Sequence, residues 1–403
     1  MLNQKITYAL AAYTLIQFLI LYLFGYTPYP DSQGYLNLAQ ETLQYNNQFY
    51  PAREQLYTLP FLWNIGAINA TALSLSLTGS ITPLLITYTL LKTATILLTY
   101  IIAYKLLGKK TAIATIIMTL IYPANYGEAT SLLSEVPFIF FTLAAIYACM
   151  KGKHLTGGIL MGCAEYFRPF AIIFIIAYIL CNIKNWRGWM RMCITYAAFI
   201  CAIALCNYST KGQFIYKAKT GWMALAQYHW DHDPQHQGLP PMALTENHTL
   251  TYSEKDDAWR DMFITWLKDN KKEYIKQIPV KIAKTYVSDN TTLCALLPQK
   301  EKNSTYMYEP LAMGTMLKTF PHYSPTQWLA AFNLLYYYSL LILLLFSTKY
   351  IKQLRLTFLI VIIGTTFIAL VGHGETRFHI PFMPFIIMAA AYTLIHNFPW
   401  KTR

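Results

Sequence analysis

Asp31, in Tyr29-Pro30-Asp31-Ser32-Gln33-Gly34-Tyr35, stands where a proline-rich turn meets a short helix. An aspartate there either caps free helix N–H groups or serves as a general base at a membrane surface. Glu135, at the mouth of the apolar run Val136-Pro137-Phe138-Ile139-Phe140-Phe141, is costly unless it faces a cavity or a partner. Glu128, in Pro123-Ala124-Asn125-Tyr126-Gly127-Glu128, reads as solvated. Arg168, in Glu165-Tyr166-Phe167-Arg168-Pro169, carries the forked guanidinium that suits a phosphate, with snorkelling or pairing to Glu165 as the structural alternative. His373, Glu375, Arg377 and His379 crowd one short turn. Their spacing matches no metal-site pattern, so anion binding by Arg377 with flanking His373 fits better than a divalent metal, and no cofactor is required. Lys92, midway along an apolar run, either reaches a lipid phosphate or pairs with an acid. Trp222, with Tyr228, His229, Trp230, Asp231 and His232, forms an aromatic cluster fit to stack on a sugar ring or to anchor at a membrane surface.

The elements that must position these residues follow from composition. The chain has 403 residues, 55% hydrophobic and 13% charged, with a mean hydropathy of +0.31. That excludes a soluble globular enzyme. Apolar runs cover 6–24, 81–104, 111–126, 131–150, 155–167, 169–183, 189–207, 326–347, 354–371 and 380–397. They predict an all-α polytopic membrane protein of about ten transmembrane helices. The first run is longer than a signal-peptide core and lacks a small-residue cleavage pattern, so it reads as a retained span.

The net charge of +13 comes from short basic clusters between apolar runs, which mark cytoplasmic loops and not a nucleic-acid site. With a cytoplasmic N-terminus, inside segments hold Lys5, Lys105, Lys109, Lys110, Lys151, Lys153, Lys184, Arg187, Arg191, Lys349, Lys352, Arg355, Lys401 and Arg403; the short outer ones hold only Arg53, Arg168 and Arg377. Cytoplasmic termini are therefore expected, in a bacterial inner membrane with the chemistry on the periplasmic side. All 19 acidic residues fall on the outer side, which insertion rules do not explain. Six of the seven cysteines lie in apolar runs, so no disulfide framework is expected.

Residues 154–183 read either as one span of about 45 Å at 1.5 Å per residue or as two short helices with an outer turn at Phe167-Arg168-Pro169. The hairpin is preferred because a single span puts basic clusters on both sides and Arg168 at mid-membrane. A nine-span count would put Asp31 and Glu375 on opposite faces. Three parts result: an N-terminal module at 1–207 with a first outer loop at 26–80, an outer segment at 208–325, and a three-span module at 326–403. The outer segment predicts an amphipathic helix over 253–289, kinked at Pro279, with Lys268, Lys271, Lys272, Lys276, Lys281 and Lys284 toward anionic headgroups.

Taken in order, Asp31 before Tyr35-x-x-x-Ala39, Glu135 before Pro137-Phe138-x-Phe140-Phe141, Arg168-Pro169 and Arg377-Phe378-x-x-Pro381-x-x-Pro384 resemble the C-type (GT-C) membrane glycosyltransferases. The likeness is to the bacterial branch related to protein O-mannosyltransferases and lipid A aminoarabinose transferases. That resemblance implies an inverting transferase that moves a hexosyl or pentosyl group from a polyprenyl-monophosphate donor to a lipid-linked glycan or glycolipid acceptor in cell-envelope assembly. It implies Asp31 as the base with Glu135 as the second acid. Arg168 and Arg377 match positions associated with holding the carrier phosphate. The residues themselves add Lys92 and His373 as candidates for that phosphate, and Tyr35, Glu128, Glu375 and Trp222 as candidate contacts for sugar or acceptor. Two departures stand out. Asp31 is followed by Ser32 where protein O-mannosyltransferases have an acidic pair, and the spans are fewer than in many relatives.

Two rival classes remain at this stage. An O-antigen ligase or polymerase with a pyrophosphate-linked donor fits the outer Arg and His residues but not the Asp31 motif. A lipid or glycan transporter calls for midplane charges and repeated broken helices, of which the chain offers only Lys92.

Overall fold

The computed structural model describes residues 4–46, 49–232, 240–247, 249–302 and 307–397. Trp400, Lys401 and Arg403 lie outside them, so the basic C-terminus expected on the cytoplasmic side is not placed. In chain order come α1 (Gln4–Phe24), α2 (Pro30–Gln44), α3 (Gln55–Thr58), α4 (Ile65–Thr78), α5 (Thr82–Leu107), α6 (Lys109–Ile121), α7 (Glu135–Met150), α8 (His154–Phe167), α9 (Ala171–Cys181) and α10 (Trp186–Lys211). The outer segment carries α11 (Gly221–Asp231), α12 (Tyr252–Asp269), α13 (Lys271–Tyr286), α14 (Gln299–Lys302) and α15 (Met313–Thr319). The chain returns through α16 (Pro325–Phe346), α17 (Arg355–Val371) and α18 (Met383–Asn397). Among the described residues there is no strand, only one isolated bridge between Leu62 and Lys219. The fold is an all-α polytopic membrane bundle.

Every apolar run is helical, but not every helix is a full span. Among the described residues, five helical stretches are long and apolar enough to cross a membrane: Gln4–Phe24, Thr82–Leu107, Trp186–Lys211, Pro325–Tyr350 and Thr376–Asn397. The segment Pro123–Thr130 and α7 together make a sixth, broken by a bend of 112°. The remaining runs are shorter helices packed against their neighbours, which is how a short helix can sit at membrane depth without exposing backbone to lipid. The stretch ending in α18 is the bundle's centre: 78% of its apolar window is buried, against 11% for α10. Around it pack α6, α16, α17 and α5.

Residues 154–183 fold as the hairpin. His154 Nε2, opening α8, lies 3.4 Å from Asn185 Nδ2, just beyond α9, so both ends of the segment meet at one end of the bundle. Arg355 at the start of α17 donates to Leu180 O at 2.7 Å, at that same end. At the turn, Glu165 does not pair with Arg168; its carboxylate accepts from Ala171 N at 3.1 Å and so satisfies a free amide of α9.

The outer segment is stapled to the bundle. Lys302 Nζ donates to Phe24 O at 2.8 Å, Thr292 Oγ1 donates to Ala124 O at 2.8 Å, and Asn333 of α16 donates to Asp289 O at 3.2 Å. His379 bonds Asp289 and Thr285 O, fully buried, so it is a structural clamp on α13. The amphipathic stretch breaks at Asn270 and not at Pro279, which α13 carries inside it. Nor does it lie wholly on headgroups: Lys281 is completely buried.

Candidate active site

Asp31, Glu135, Glu375, Arg168 and Arg377, all singled out by the sequence, come together at one end of the bundle. Asp31 is not a cap. The N-cap of α2 is Tyr29 and Pro30 takes the first helical position, where its fixed φ suits the helix and its missing N–H costs nothing. Asp31 thus falls in the first turn with its carboxylate free to point outward. Arg377 Nη1 meets Asp31 Oδ2 at 2.9 Å. The same guanidinium gives Nε to Glu375 Oε2 at 2.8 Å, and Glu375 Oε1 takes His373 Nε2 at 3.1 Å. Burial works against ionisation of Glu375, but the His373 and Arg377 contacts outweigh it and hold this carboxyl well below the usual range. The turn between α17 and α18 is therefore an ion-pair chain, and the nine-span reading, which separates Asp31 from Glu375, is excluded.

A second acid–arginine pair lies beside the first. Glu135 opens α7, where the helix dipole favours a carboxylate, and forms a buried salt bridge with Arg168 at the α8–α9 turn. Ser134 Oγ accepts from Arg168 Nη1 at 3.5 Å and from Asn64 Nδ2 at 3.1 Å, while Asn64 also donates to Tyr35 Oη at 2.7 Å. Tyr35 sits between the pairs: burial raises its phenol, the charges of Asp31 and Glu135 add to that, and Arg377 and Arg168 oppose it. Phe378 links them on the other side. The Arg168 guanidinium stands 5.4 Å from its ring and His373 5.2 Å. Arg168 Nε and His373 Nδ1 are buried and, among the described residues, unpartnered.

A cavity of about 460 Å³ opens off the Asp31–Arg377 pair. Pro30, Asp31, Glu375, Thr376 and Arg377 form its charged wall; Tyr308, Leu311, Ala312, Met313 and Val287 form an apolar one from the outer segment. The two walls are tied together, because Thr376 Oγ1 and Thr291 Oγ1 lie 3.0 Å apart and Tyr29 Oη donates to Thr291 O. Cys294 also lines the cavity, and burial pushes its thiol up to about 12, which leaves it un-ionised and a poor nucleophile.

Three sequence candidates lie elsewhere. Lys92 Nζ and Glu128 Oε2 pair at 2.6 Å, both buried, and line a small void of about 20 Å³ apart from this cavity. Glu128 is accordingly not solvated, and Lys92 has its counter-charge inside the protein. Trp222 packs on Phe263 with ring centres 6.0 Å apart, in the α11–α12 cluster, and does not line the cavity. Conversely, Ser134, Asn64, Thr291 and Tyr308 escaped the sequence reading. Ser134 adjoins Glu135 and could have been suspected; Thr291 and Tyr308 sit in loop sequence with no period to betray them.

No family model and no curated protein matches the chain. Among solved structures it is similar to ArnT from Cupriavidus metallidurans in the apo state, with 11% identity, a TM-score of 0.42, and coverage of 98% of this chain and 78% of that one.

Proposed function

We propose that this chain is a membrane glycosyltransferase of the GT-C type, moving a sugar from a polyprenyl-monophosphate donor to a hydroxyl or phosphate acceptor. The observation that carries the reading is the cavity beside Asp31 and Arg377, charged on one wall and apolar on the other. An amphiphile with an anionic head fits that division: its phosphate meets Arg377 and its first isoprenoid units meet Tyr308, Leu311 and Met313. Arg377 is held between two carboxylates. An incoming phosphate competes for it and releases Asp31.

Asp31 then takes the acceptor proton as the acceptor oxygen attacks the anomeric carbon. The bond from that carbon to the phosphate oxygen breaks on the opposite face, which inverts configuration. The leaving polyprenyl phosphate gains negative charge, and Arg377 at the cavity wall stabilises it, while Arg168 and His373 stand behind Phe378 and do not line the cavity. Neither residue set requires a metal or cofactor for this step. The basic clusters at the opposite ends of the helices favour a bacterial inner membrane with the reaction on the periplasmic side.

The test is transfer of radiolabelled sugar from polyprenyl-phosphate donors to endogenous lipid acceptors in membranes carrying either wild type or Asp31→Asn. Loss of transfer with normal expression supports the reading. Near-normal turnover removes Asp31 from the mechanism, and label moving only from a pyrophosphate-linked donor favours a ligase or polymerase.

A further inference from the structure

Four lysines of the outer region are buried. Lys211, Lys255 and Lys302 each end on backbone carbonyls: Phe49 O, Thr245 O and Phe24 O respectively. Lys281 does not. Its ammonium, fully buried, faces the rings of Tyr228 at 4.8 Å and Tyr274 at 5.4 Å, and its polar neighbour is His229 Nε2 at 3.5 Å. No carboxylate among the described residues pairs with it. An ammonium held by two aromatic rings and one imidazole nitrogen keeps donors that an anion's oxygens could take.

The surroundings have the same sign. Lys284, one turn on and exposed, places its ammonium 5.1 Å from the same Tyr228 ring, so two cations approach one aromatic ring. Lys284 Nζ also lies 3.5 Å from His232 Nε2 at the surface. Beneath this rim His229 stacks on Trp266 with ring centres 4.2 Å apart, and His229 Nδ1 and Tyr228 Oη are buried without partners among the described residues. Burial lowers Lys281 to about 8, as expected of an ammonium lacking its anion. The cluster is separate from the Arg377 centre but tied to it. A Cβ on Gly374 would sit 2.7 Å from Lys281 O, Tyr274 Oη donates to Leu370 O at 2.7 Å, and Val287 at the cavity wall is about 9 Å further along the helix at 1.5 Å per residue.

We propose that Lys281, Lys284, His229 and His232 form a second anion site, for a phosphate group presented at the membrane surface by a lipid headgroup or a lipid-linked glycan. Lys284 and His232 admit the phosphate at the rim, and Lys281 and the unpartnered donors below complete its shell. The inference does not depend on the transferase reading, since it concerns binding alone.

The test is thermal unfolding of the full chain in neutral-lipid nanodiscs, titrated with inorganic phosphate. On an Arg377→Gln background, which removes the phosphate ligand of the first centre, the chain should gain roughly 2 °C at ten times Kd, and adding Lys284→Gln or His232→Gln should abolish that gain. These rim residues are exposed, so their replacement spares the fold; Lys281→Met is the buried counterpart. Nanodiscs with phosphatidylglycerol separate the sources: a gain already saturated there identifies a bulk headgroup, and one that phosphate still adds identifies a distinct phosphorylated ligand. On that background, an equal gain with and without either rim variant, or no gain in Arg377→Gln, overturns the proposal.

Discussion

Arg377 Nη1 lies 2.9 Å from Asp31 Oδ2, joining the turn before the last helix to the first turn of α2. This contact brings the two ends of the sequence pattern to one place and forms one edge of the cavity. Because Arg377 also holds Glu375, neither carboxylate has the guanidinium to itself. An anion that takes Arg377 changes the charge seen by Asp31 directly.

Asp31→Asn should lower transfer by about 10²–10⁴-fold, the range of a lost general base. Glu375 still neutralises Arg377 in this variant, so retained polyprenyl lipid should match wild type and the loss of the partly exposed Asp31–Arg377 pair should cost no more than about 1 kcal/mol. Initial rates in membrane vesicles and an unfolding curve check both.

Breaking the Glu135–Arg168 pair should be a stability event. Each partner is nearly inaccessible, so Glu135→Gln or Arg168→Met leaves a buried charge uncompensated, at a cost of about 3–5 kcal/mol. The double variant should recover much of that in thermal unfolding while remaining inactive. Recovery of activity along with stability would make the pair purely structural.

Ala312 lines the apolar wall and makes no charged contact. Ala312→Trp should fill part of the cavity, lower kcat/KM by at least about tenfold and leave the unfolding temperature unchanged, because the volume change falls in open space and not in packed core. Unaltered kinetics would separate the cavity from the reaction.

Glu375 is held below the ordinary carboxyl range in the fold, so it binds its proton less readily there than in the unfolded chain. Its contribution to stability is fully present above the unfolded carboxyl pKa and fades as pH falls through the folded one. Acid unfolding of Glu375→Gln should therefore show a shallower loss below about pH 4 than wild type.

Much of this arrangement was legible in the sequence because charges in apolar surroundings have few explanations. Asp31, Glu135, Arg168 and Arg377 stand out by type and place, and the hairpin at 154–183 followed from the cost of leaving Arg168 at mid-membrane. Glu128 misled for the same reason: alone it looks solvated, whereas it pairs with Lys92, one of the two outcomes that residue left open. Lys281 was read as a headgroup contact from helical periodicity, which cannot reveal that α11 covers that face with Tyr228 and His229. The apolar wall came from loop residues such as Tyr308, whose position is set by tertiary staples and not by any local pattern.

The most direct measurement is native mass spectrometry of the gently purified protein, wild type beside Arg377→Gln. Wild type should retain a polyprenyl monophosphate, free or glycosylated, and Arg377→Gln should lose it while keeping bulk phospholipid. A wild type carrying only bulk phospholipid, or an identical polyprenyl complement in both proteins, would contradict the assignment of the Asp31–Arg377 cavity to the donor.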